Sequence, residues 1–223
     1  MAIKPILFNT EMVRAILDGR KTCTRRVIEL PENMDGVPVG KSGDSSNPLG
    51  FMYPGGIKRP PYQPGDILYV RETWCALPVN EAGHMRGHSI YYYRADGDLR
   101  PEGWRGKWRP SIHMPKEAAR IWLKVTDVRV ERLQEIDEDG VWDEGFKFKP
   151  PCLTRVSADG HTCDLDGPCM SSIKYCDMTI GELFGRELWN STIKKSDLNR
   201  YGWDANPWGW VIEFERCEKP EEI

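Results

Sequence analysis

Residues 120–133 read RIWLKVTDVRVERL and contain the clearest strand pattern in the chain. Apolar and polar side chains alternate closely there, which is typical of a β-strand with one buried face. A second β-branched and aromatic run, ILYVRETW at residues 67–74, follows a turn of Pro64, Gly65 and Asp66 and also predicts a strand. The two runs together indicate a core built on a sheet.

Three short helices are predicted between the strands. One ends before Gly19, the second covers residues 136–145, and the third follows Thr179, which forms a capping box with Glu182. The aromatic run WGWVIEFE at residues 208–215 predicts a closing strand. Short strands and short helices that do not alternate as βαβ units predict an α+β protein, a small β-barrel with short helices packed on it.

Long loop insertions are predicted to interrupt this core. They cover about residues 31–64, 76–110 and 147–178, which are rich in Pro, Gly, Ser, Asp or Cys and have little periodicity. A length of 223 residues suits one domain, so we treat residues 1–223 as a single domain with insertions.

The charge balance limits the classes of partner. Lys and Arg total 31 against 34 Asp and Glu, so the chain has no overall positive field and any contact with nucleic acid must be local. No apolar stretch reaches the roughly 20 residues that span a bilayer, and the N-terminus lacks the apolar core of a signal peptide. We therefore expect a cytoplasmic protein with no membrane partner.

Residues 19–26 read GRKTCTRR and form the strongest functional signal. Four cations and two threonine hydroxyls lie in one turn after the first helix, where arginine forks and backbone amides can bind a phosphate or a polar base edge. The alternative is a solvated basic turn, since most charge runs are exposed faces. Cys23 lies between the two threonines and is expected on the opposite face of an extended segment, in a packing role.

Glu144 is the second unusual residue. It is predicted in the last turn of the helix at 136–145, where the helix dipole disfavours a carboxylate. Its position therefore calls for a partner cation or a function.

Several motifs in order resemble the ASCH domain family, a branch of the PUA-like β-barrels. They are GRKTCT at 19–24, PGD at 64–66, Arg132-Leu133 before the acidic helix, and VIEF at 211–214. Two further blocks, VRETW at 70–74 and RPSIHMP at 109–115, resemble the larger ASCH proteins of phages and prophages. The resemblance covers roughly half of the chain in order and spacing.

This resemblance implies a PUA-like barrel whose cleft accepts RNA or a modified nucleobase. Short bacterial members of the family are amidohydrolases that remove the acetyl group from acetylcytidine with a lysine, a threonine and a glutamate. The matching positions are Lys21, Thr24 and Glu144.

The same three residues can be argued from their chemistry. A threonine hydroxyl is a weak nucleophile and needs a neighbouring base, and a lysine can serve when burial or nearby cations favour its neutral form. Lys21 can then take the proton of Thr24, while Glu144 manages protons at the leaving nitrogen or on water. No cofactor is required for this catalysis.

Eight further residues are candidates for substrate binding. The basic turn supplies phosphate or base ligands, Arg71 can stabilise the carbonyl oxygen or grip the base, Glu72 can read a base edge, and Trp74 can line the cleft. Arg71 and Glu72 can instead form an ion pair at a strand end, and His113 can make an ordinary local hydrogen bond. The full set is Arg20, Thr22, Arg25, Arg26, Arg71, Glu72, Trp74 and His113.

A structural zinc is a further possibility, on Cys152, Cys163, Cys169 and Cys176. Four thiolates suffice for a tetrahedral site, but the spacing lacks the usual Cys-x2-4-Cys pair. The alternative is a loop with reduced thiols. Two functional hypotheses therefore remain, an amidohydrolase acting on a modified nucleoside and a non-catalytic RNA-binding module of a phage or prophage.

Overall fold

The structure, a computed structural model, describes residues 1–78, 89–100, 106–147 and 178–221. Its strands are β1 (Ile3–Leu7), β2 (Cys23–Val27), β3 (Val37–Val39), β4 (Gly50–Tyr53), β5 (Gly56–Lys58), β6 (Ile67–Arg71), β7 (Trp74–Pro78), β8 (Ser89–Tyr93), β9 (Trp122–Arg132) and β10 (Trp208–Cys217). Its helices are α1 (Thr10–Leu17), α2 (Glu138–Asp143), α3 (Ile180–Leu183), α4 (Asn190–Thr192) and α5 (Leu198–Tyr201). The α+β prediction is confirmed.

A five-stranded sheet in the order β1-β6-β9-β10-β2 organises the molecule. β1 runs parallel to β6 and the remaining neighbours are antiparallel, with a bulge in β10 between Glu213 and Phe214. The strands predicted at 120–133 and 208–215 are β9 and β10. Within the described residues the sheet is not a closed barrel, because β1 and β2 each pair with a neighbour on one side only.

One side chain, that of Arg26, nevertheless spans the space between the open edges. Nη2 of Arg26 in β2 donates to the carbonyl oxygen of Leu7 in β1 over 2.9 Å. The Tyr62 hydroxyl donates to the Pro5 carbonyl over 2.8 Å. The sheet is therefore curved enough to bring its two edge strands within reach of one arginine.

The core lies on both faces of this sheet. Helix α1 and one face of the sheet, called the inner face below, form the larger cluster. Burial of each large apolar side chain there contributes roughly 1.5–3 kcal/mol. Its members include Ile6, Phe8, Val13, Ile16, Leu68, Val70, Leu123, Val125, Trp210, Ile212 and Phe214. A second cluster joins α2 to the C-terminal helices through Leu133, Ile136, Val141, Phe184, Trp189 and Trp203.

The insertion predicted at residues 31–64 is not an irregular loop throughout, because β3, β4 and β5 make a three-stranded antiparallel sheet there. Each strand has only three or four residues, which is too short for a recognisable alternation. Phe51 is fully buried, and its ring centroid lies 5.5 Å from that of Trp208. This small sheet is thus packed on the end of β10.

The strand predicted over 67–74 also differs from the structure. β6 ends at Arg71, and Trp74 begins β7, which pairs with β8 in a separate hairpin. Glu72 is in neither strand, and its buried side chain binds Arg120. This ion pair coincides with the break between the two strands.

The predicted stop of the first helix at Gly19 and the predicted start of the third at Thr179 are confirmed, whereas the helix predicted over 136–145 is shorter and covers Glu138–Asp143. The Asn9 side chain accepts from the Met12 amide at the start of α1, and Gly19 terminates the segment with φ +74°. The Thr179–Glu182 capping box starts α3. After α3 the chain continues through an unpredicted π-helical segment, Phe184–Trp189. Among the described residues, no helix is long and apolar enough to cross a bilayer.

Candidate functional site

The basic turn is held against the end of α2 by backbone contacts. The Lys21 amide donates to the Ala15 carbonyl, and the Thr22 amide donates to the Asp143 carbonyl over 2.9 Å. Gly145 follows with φ +78°, and a Cβ there would lie 2.6 Å from Cβ of Ala15 and 3.0 Å from Cβ of Lys21. Only glycine suits this left-handed conformation and this close approach.

Lys21 and Glu144 form a buried ion pair in this junction. Nζ of Lys21 lies 2.5 Å from Oε2 of Glu144 and also donates to its carbonyl oxygen over 3.0 Å. The two side chains are 0% and 4% exposed. Lys21 is thus the cation that the carboxylate at the helix end calls for, and 123 positions separate the two residues.

Arg25 holds the other oxygen of the same carboxylate. Its backbone amide donates to Oε1 of Glu144 over 2.7 Å, and its Nη1 lies 3.6 Å from that oxygen. The Arg25 guanidinium extends over Cys23, whose sulphur is 3.7 Å from Nη1. Burial, and to a smaller extent Glu144, raise the pKa of the Cys23 thiol to about 12, so Cys23 has the expected packing role.

Thr24 and Arg26 lie on the opposite face of β2 from Arg25. In the ladder with β10, Thr24 pairs with Ile212 and Arg26 pairs with Trp210, both of which belong to the larger core cluster. Directly paired residues place their side chains on one face of a sheet. Thr24 is therefore directed to the inner face, where it is 2% exposed.

Phe8 connects this face with Lys21. Nζ of Lys21 lies 5.6 Å from the centroid of the Phe8 ring, and the guanidinium carbon of Arg26 lies 5.5 Å from it. Burial lowers the pKa of Arg26, while Glu144 opposes that shift. Lys21 and Arg26 consequently lie near one aromatic ring, and Arg26 shares its face of β2 with Thr24.

Arg20 and Thr22 lie at the outside of the turn. Arg20 binds the Asp18 carboxylate and donates to the Gly145 carbonyl over 2.7 Å. The Thr22 hydroxyl donates to Oδ1 of Asp143 over 2.8 Å. Both residues therefore fasten the turn to its neighbours.

Arg71 and Glu72 do not pair with each other, so the alternative of a strand-end ion pair between them is wrong. Arg71 donates to the Ile112 and Met114 carbonyls over 2.5 and 2.7 Å. Both oxygens of Glu72 accept from Arg120, over 2.9 and 3.1 Å. Burial raises the pKa of Glu72, and the Arg120 guanidinium opposes the shift. The backbone turn at Glu72 directs these two neighbours to different partners.

Trp74 and His113 have contrasting environments. The Trp74 ring is 4% exposed and lies between the Arg109 guanidinium, 5.3 Å away, and the Tyr91 ring, 5.8 Å away. His113 is exposed in a short 3-10 turn, Ser111–His113. Neither residue contacts the Lys21–Glu144 pair through a described interaction.

The zinc prediction rests on cysteines that lie outside the described residues, namely Cys152, Cys163, Cys169 and Cys176. Among the residues that the structure describes, no group of three or more His, Cys, Asp or Glu side chains could hold a metal ion.

Sequence reasoning missed three polar residues near these sites. Arg120 was not expected to bind Glu72, because 48 positions separate them and no local pattern connects them. Arg129 and Glu131 were noted only as polar positions of a strand, although their spacing of two residues places them on one face. That spacing was the available signal.

Comparison of the chain with models of protein families, with characterised proteins and with solved structures finds no match.

Proposed function

We propose that this protein is an ASCH-type module with a PUA-like barrel whose cleft binds a modified nucleobase in RNA or as a nucleoside. We further propose that it is an amidohydrolase removing an acyl group from the exocyclic nitrogen of cytidine. The observation that carries the proposal is the buried contact of 2.5 Å between Nζ of Lys21 and Oε2 of Glu144. Lys21 lies three residues before Thr24 in the sequence. The contact supports the role of this trio that the family resemblance implies.

The shape of the central sheet supports the barrel. β1 and β2 are its two edges, and Arg26 connects them by a hydrogen bond to Leu7. A barrel that lacks one strand pairing has its opening at such a place. In the proposal this opening is the cleft, with Phe8, Lys21, Thr24 and Arg26 around it.

The proposed reaction proceeds in two acyl transfers. The Thr24 hydroxyl oxygen attacks the acyl carbonyl, the bond from that carbon to the cytosine nitrogen breaks, and the nitrogen receives a proton. Water then attacks the threonine ester, which releases the carboxylic acid and restores the hydroxyl. Lys21 accepts the hydroxyl proton in its neutral form, and Glu144 exchanges protons with Lys21 across their short contact. Arg26 is the guanidinium on this face that can stabilise the developing oxyanion.

A matched pair of substitutions tests this assignment. Thr24→Val removes the proposed nucleophile and keeps the side-chain shape, whereas Thr22→Val removes a hydroxyl that binds Asp143 at the outside of the turn. With N4-acetylcytidine as substrate and chromatographic detection of cytidine, we expect Thr24→Val to lose turnover by about 10³-fold or more. Thr22→Val should retain turnover within about tenfold. Equal activity of wild type and Thr24→Val would show that Thr24 is not the nucleophile.

One observation favours the second candidate, a non-catalytic module. Nζ of Lys21 and Oε2 of Glu144 form an ion pair over 2.5 Å, and an ion-paired lysine can serve as a phosphate ligand without accepting the threonine proton. Such a module binds an RNA oligonucleotide and releases no cytidine from acetylcytidine. Measurement of both properties on the same preparation separates the two candidates.

A further inference from the structure

An unbroken series of ion pairs runs from the protein surface to the Lys21–Glu144 pair. Its charges alternate in sign from one residue to the next, so each arginine lies between two carboxylates and the series ends at Lys21. In order from the surface it consists of Glu213, Arg129, Glu131, Arg25, Glu144 and Lys21. The term "ion chain" refers below to these six residues.

The register of three strands produces the outer part of the ion chain. In β2, β10 and β9, Arg25 pairs with Val211, and Val211 pairs with Arg129. Glu213 and Glu131 lie two positions from Val211 and Arg129 respectively, so they share that outer face. Cross-strand and diagonal neighbours on one face are close enough for long charged side chains to meet.

The contacts become progressively more buried toward Lys21. Arg129 binds both Glu213 and Glu131, and Nη2 of Arg25 lies 3.2 Å from Oε2 of Glu131. The exposed fraction falls from 42% for the Glu213 side chain to 24% for Glu131 and 3% for Arg25. The ion chain therefore reaches from solvent to a lysine whose side chain is wholly buried.

Gly140 makes room for the inner part of the ion chain. A Cβ on Gly140 would lie 3.0 Å from Nη2 of Arg25, and the Gly140 carbonyl accepts from Nη1 of Arg25 over 3.3 Å. Arg25 can thus pass between α2 and β2 to reach Glu131. Its amide and guanidinium fix one Glu144 oxygen, which leaves the other oxygen for Lys21.

We propose that Arg25, Glu131, Arg129 and Glu213 are positioning residues that set the protonation of the Lys21–Glu144 pair by their alternating charges. The inference rests on the proposed function, because that pair is the proton-exchanging part of the proposed reaction. Loss of a negative charge from the ion chain leaves Arg25 less compensated, which disfavours a proton on Lys21. The effect weakens with distance from Lys21.

Other charged and titratable groups face the same pair and act as a constant background. They include Cys23, whose thiol interacts electrostatically with Glu144 and Lys21, and Arg26, whose guanidinium interacts with Glu144. None of them is altered in the variants below. A change among those variants therefore reports on the ion chain.

Three isosteric substitutions test the inference through the pH dependence of kcat/KM for N4-acetylcytidine. Glu131→Gln and Glu213→Gln remove a charge close to and far from Lys21, whereas Glu215→Gln removes one from an exposed pair with Lys124 that is outside the ion chain. Because Lys21 acts in its neutral form, we expect the acidic limb to move to lower pH by about 0.5–1 unit in Glu131→Gln. The shift should be smaller in Glu213→Gln and near zero in Glu215→Gln.

A profile of Glu131→Gln that superimposes on that of Glu215→Gln would overturn the inference. A second readout separates its failure from failure of the proposed function. NMR titration of the Lys21 amine in the same variants follows protonation directly, with or without turnover. A wild type that never releases cytidine contradicts the proposed function, whereas an unmoved Lys21 titration in Glu131→Gln contradicts the role of the ion chain.

Discussion

Two buried carboxylates, Glu144 and Glu72, have different partners. Glu144 divides its oxygens between the Lys21 amine and the Arg25 amide, whereas Glu72 gives both oxygens to the single guanidinium of Arg120. An amine can lose its proton near neutral pH when its surroundings favour that form, but an arginine in a protein stays charged. Burial and an ion pair are common to both sites, so the kind of donor is what separates them.

The surroundings of Glu72 fit a structural role. Arg120 also binds Asp96 over 2.7 Å and lies 4.0 Å from the Tyr93 ring centroid. The Tyr93 hydroxyl donates to the Ala118 carbonyl, and burial raises its pKa to about 12. These contacts fasten the β7–β8 hairpin to the segment before β9. The contacts of Glu72 therefore indicate that it holds the hairpin in place, whereas the proposed reaction gives Glu144 a role in proton transfer.

The largest expected effect concerns turnover. In the proposed reaction Glu144 exchanges protons with Lys21, so we expect Glu144→Gln to lose about 10²–10⁴-fold in hydrolysis of N4-acetylcytidine. Glu72→Gln makes the same atomic change at a site with no exchangeable amine and should stay within about tenfold of wild type. Equal losses of turnover in the two variants would contradict a catalytic role specific to Glu144.

For the free energy of unfolding we expect the larger loss at the Glu72 site and the smaller loss at the Glu144 site. Arg120→Met leaves both oxygens of Glu72 without their partner in a residue that is 1% exposed, and we expect a loss of about 3–5 kcal/mol in the free energy of unfolding. Lys21→Met leaves Glu144 with Arg25 and should lose about 1–3 kcal/mol. Lys124→Met, at an exposed pair, should stay within about 1 kcal/mol.

Urea denaturation of these variants near pH 7 measures all three values. A greater loss in Lys21→Met than in Arg120→Met would contradict the structural role of Glu72.

The pH dependence of stability should sharpen the contrast. The pKa of Glu72 is raised in the folded state, mainly by burial, so the folded protein holds more protons than the unfolded chain between the two pKa values. The contribution of Glu72 to stability is therefore full below the unfolded pKa and declines as pH rises through the folded one, by at most about 1.4 kcal/mol per pH unit.

Glu72→Gln should remove this decline, and urea denaturation of both proteins as a function of pH tests it. The unfolding free energy of wild type minus that of Glu72→Gln should therefore fall as pH rises. An increase of this quantity with pH would contradict the prediction.

The smallest expected effect is on Cys23. Burial and then Glu144 raise the pKa of its thiol, so Glu144→Gln should increase its labelling rate at alkaline pH a few-fold. Glu72→Gln should leave that rate unchanged. Peptide mapping after limited alkylation measures it, with the less buried Cys217 as an internal reference. Parallel increases in both variants would point to general loosening of the fold.

Local patterns predicted the elements whose causes are local. The Gly19 stop and the alternation of β9 each depend on a few neighbouring residues. β1 was missed because a five-residue strand that contains Pro5 has a weak signal and pairs in parallel with a distant strand. Strand register, which only the tertiary fold provides, joins Arg25 to Glu131.

The candidate site was also predicted only where local patterns or the family resemblance pointed to it. The basic turn and the unfavourable position of Glu144 at a helix end are visible in the sequence, and their meeting followed from the family resemblance. The division of the turn into two faces was not visible. Arg25 was grouped with Arg26 as a ligand of the substrate, although adjacent residues of a strand point to opposite sides of the sheet.

The separation of 123 positions between Lys21 and Glu144 also has a consequence for the order of folding. All of β6 and β9 and both small sheets lie between the two residues in the chain, so their contact closes a very long loop. Helix α1 can form early from local contacts, but the burial of Lys21 must await the arrival of α2. We expect Glu144 substitutions to accelerate unfolding while leaving the folding rate almost unchanged, so that the candidate site is the last part of the molecule to assemble.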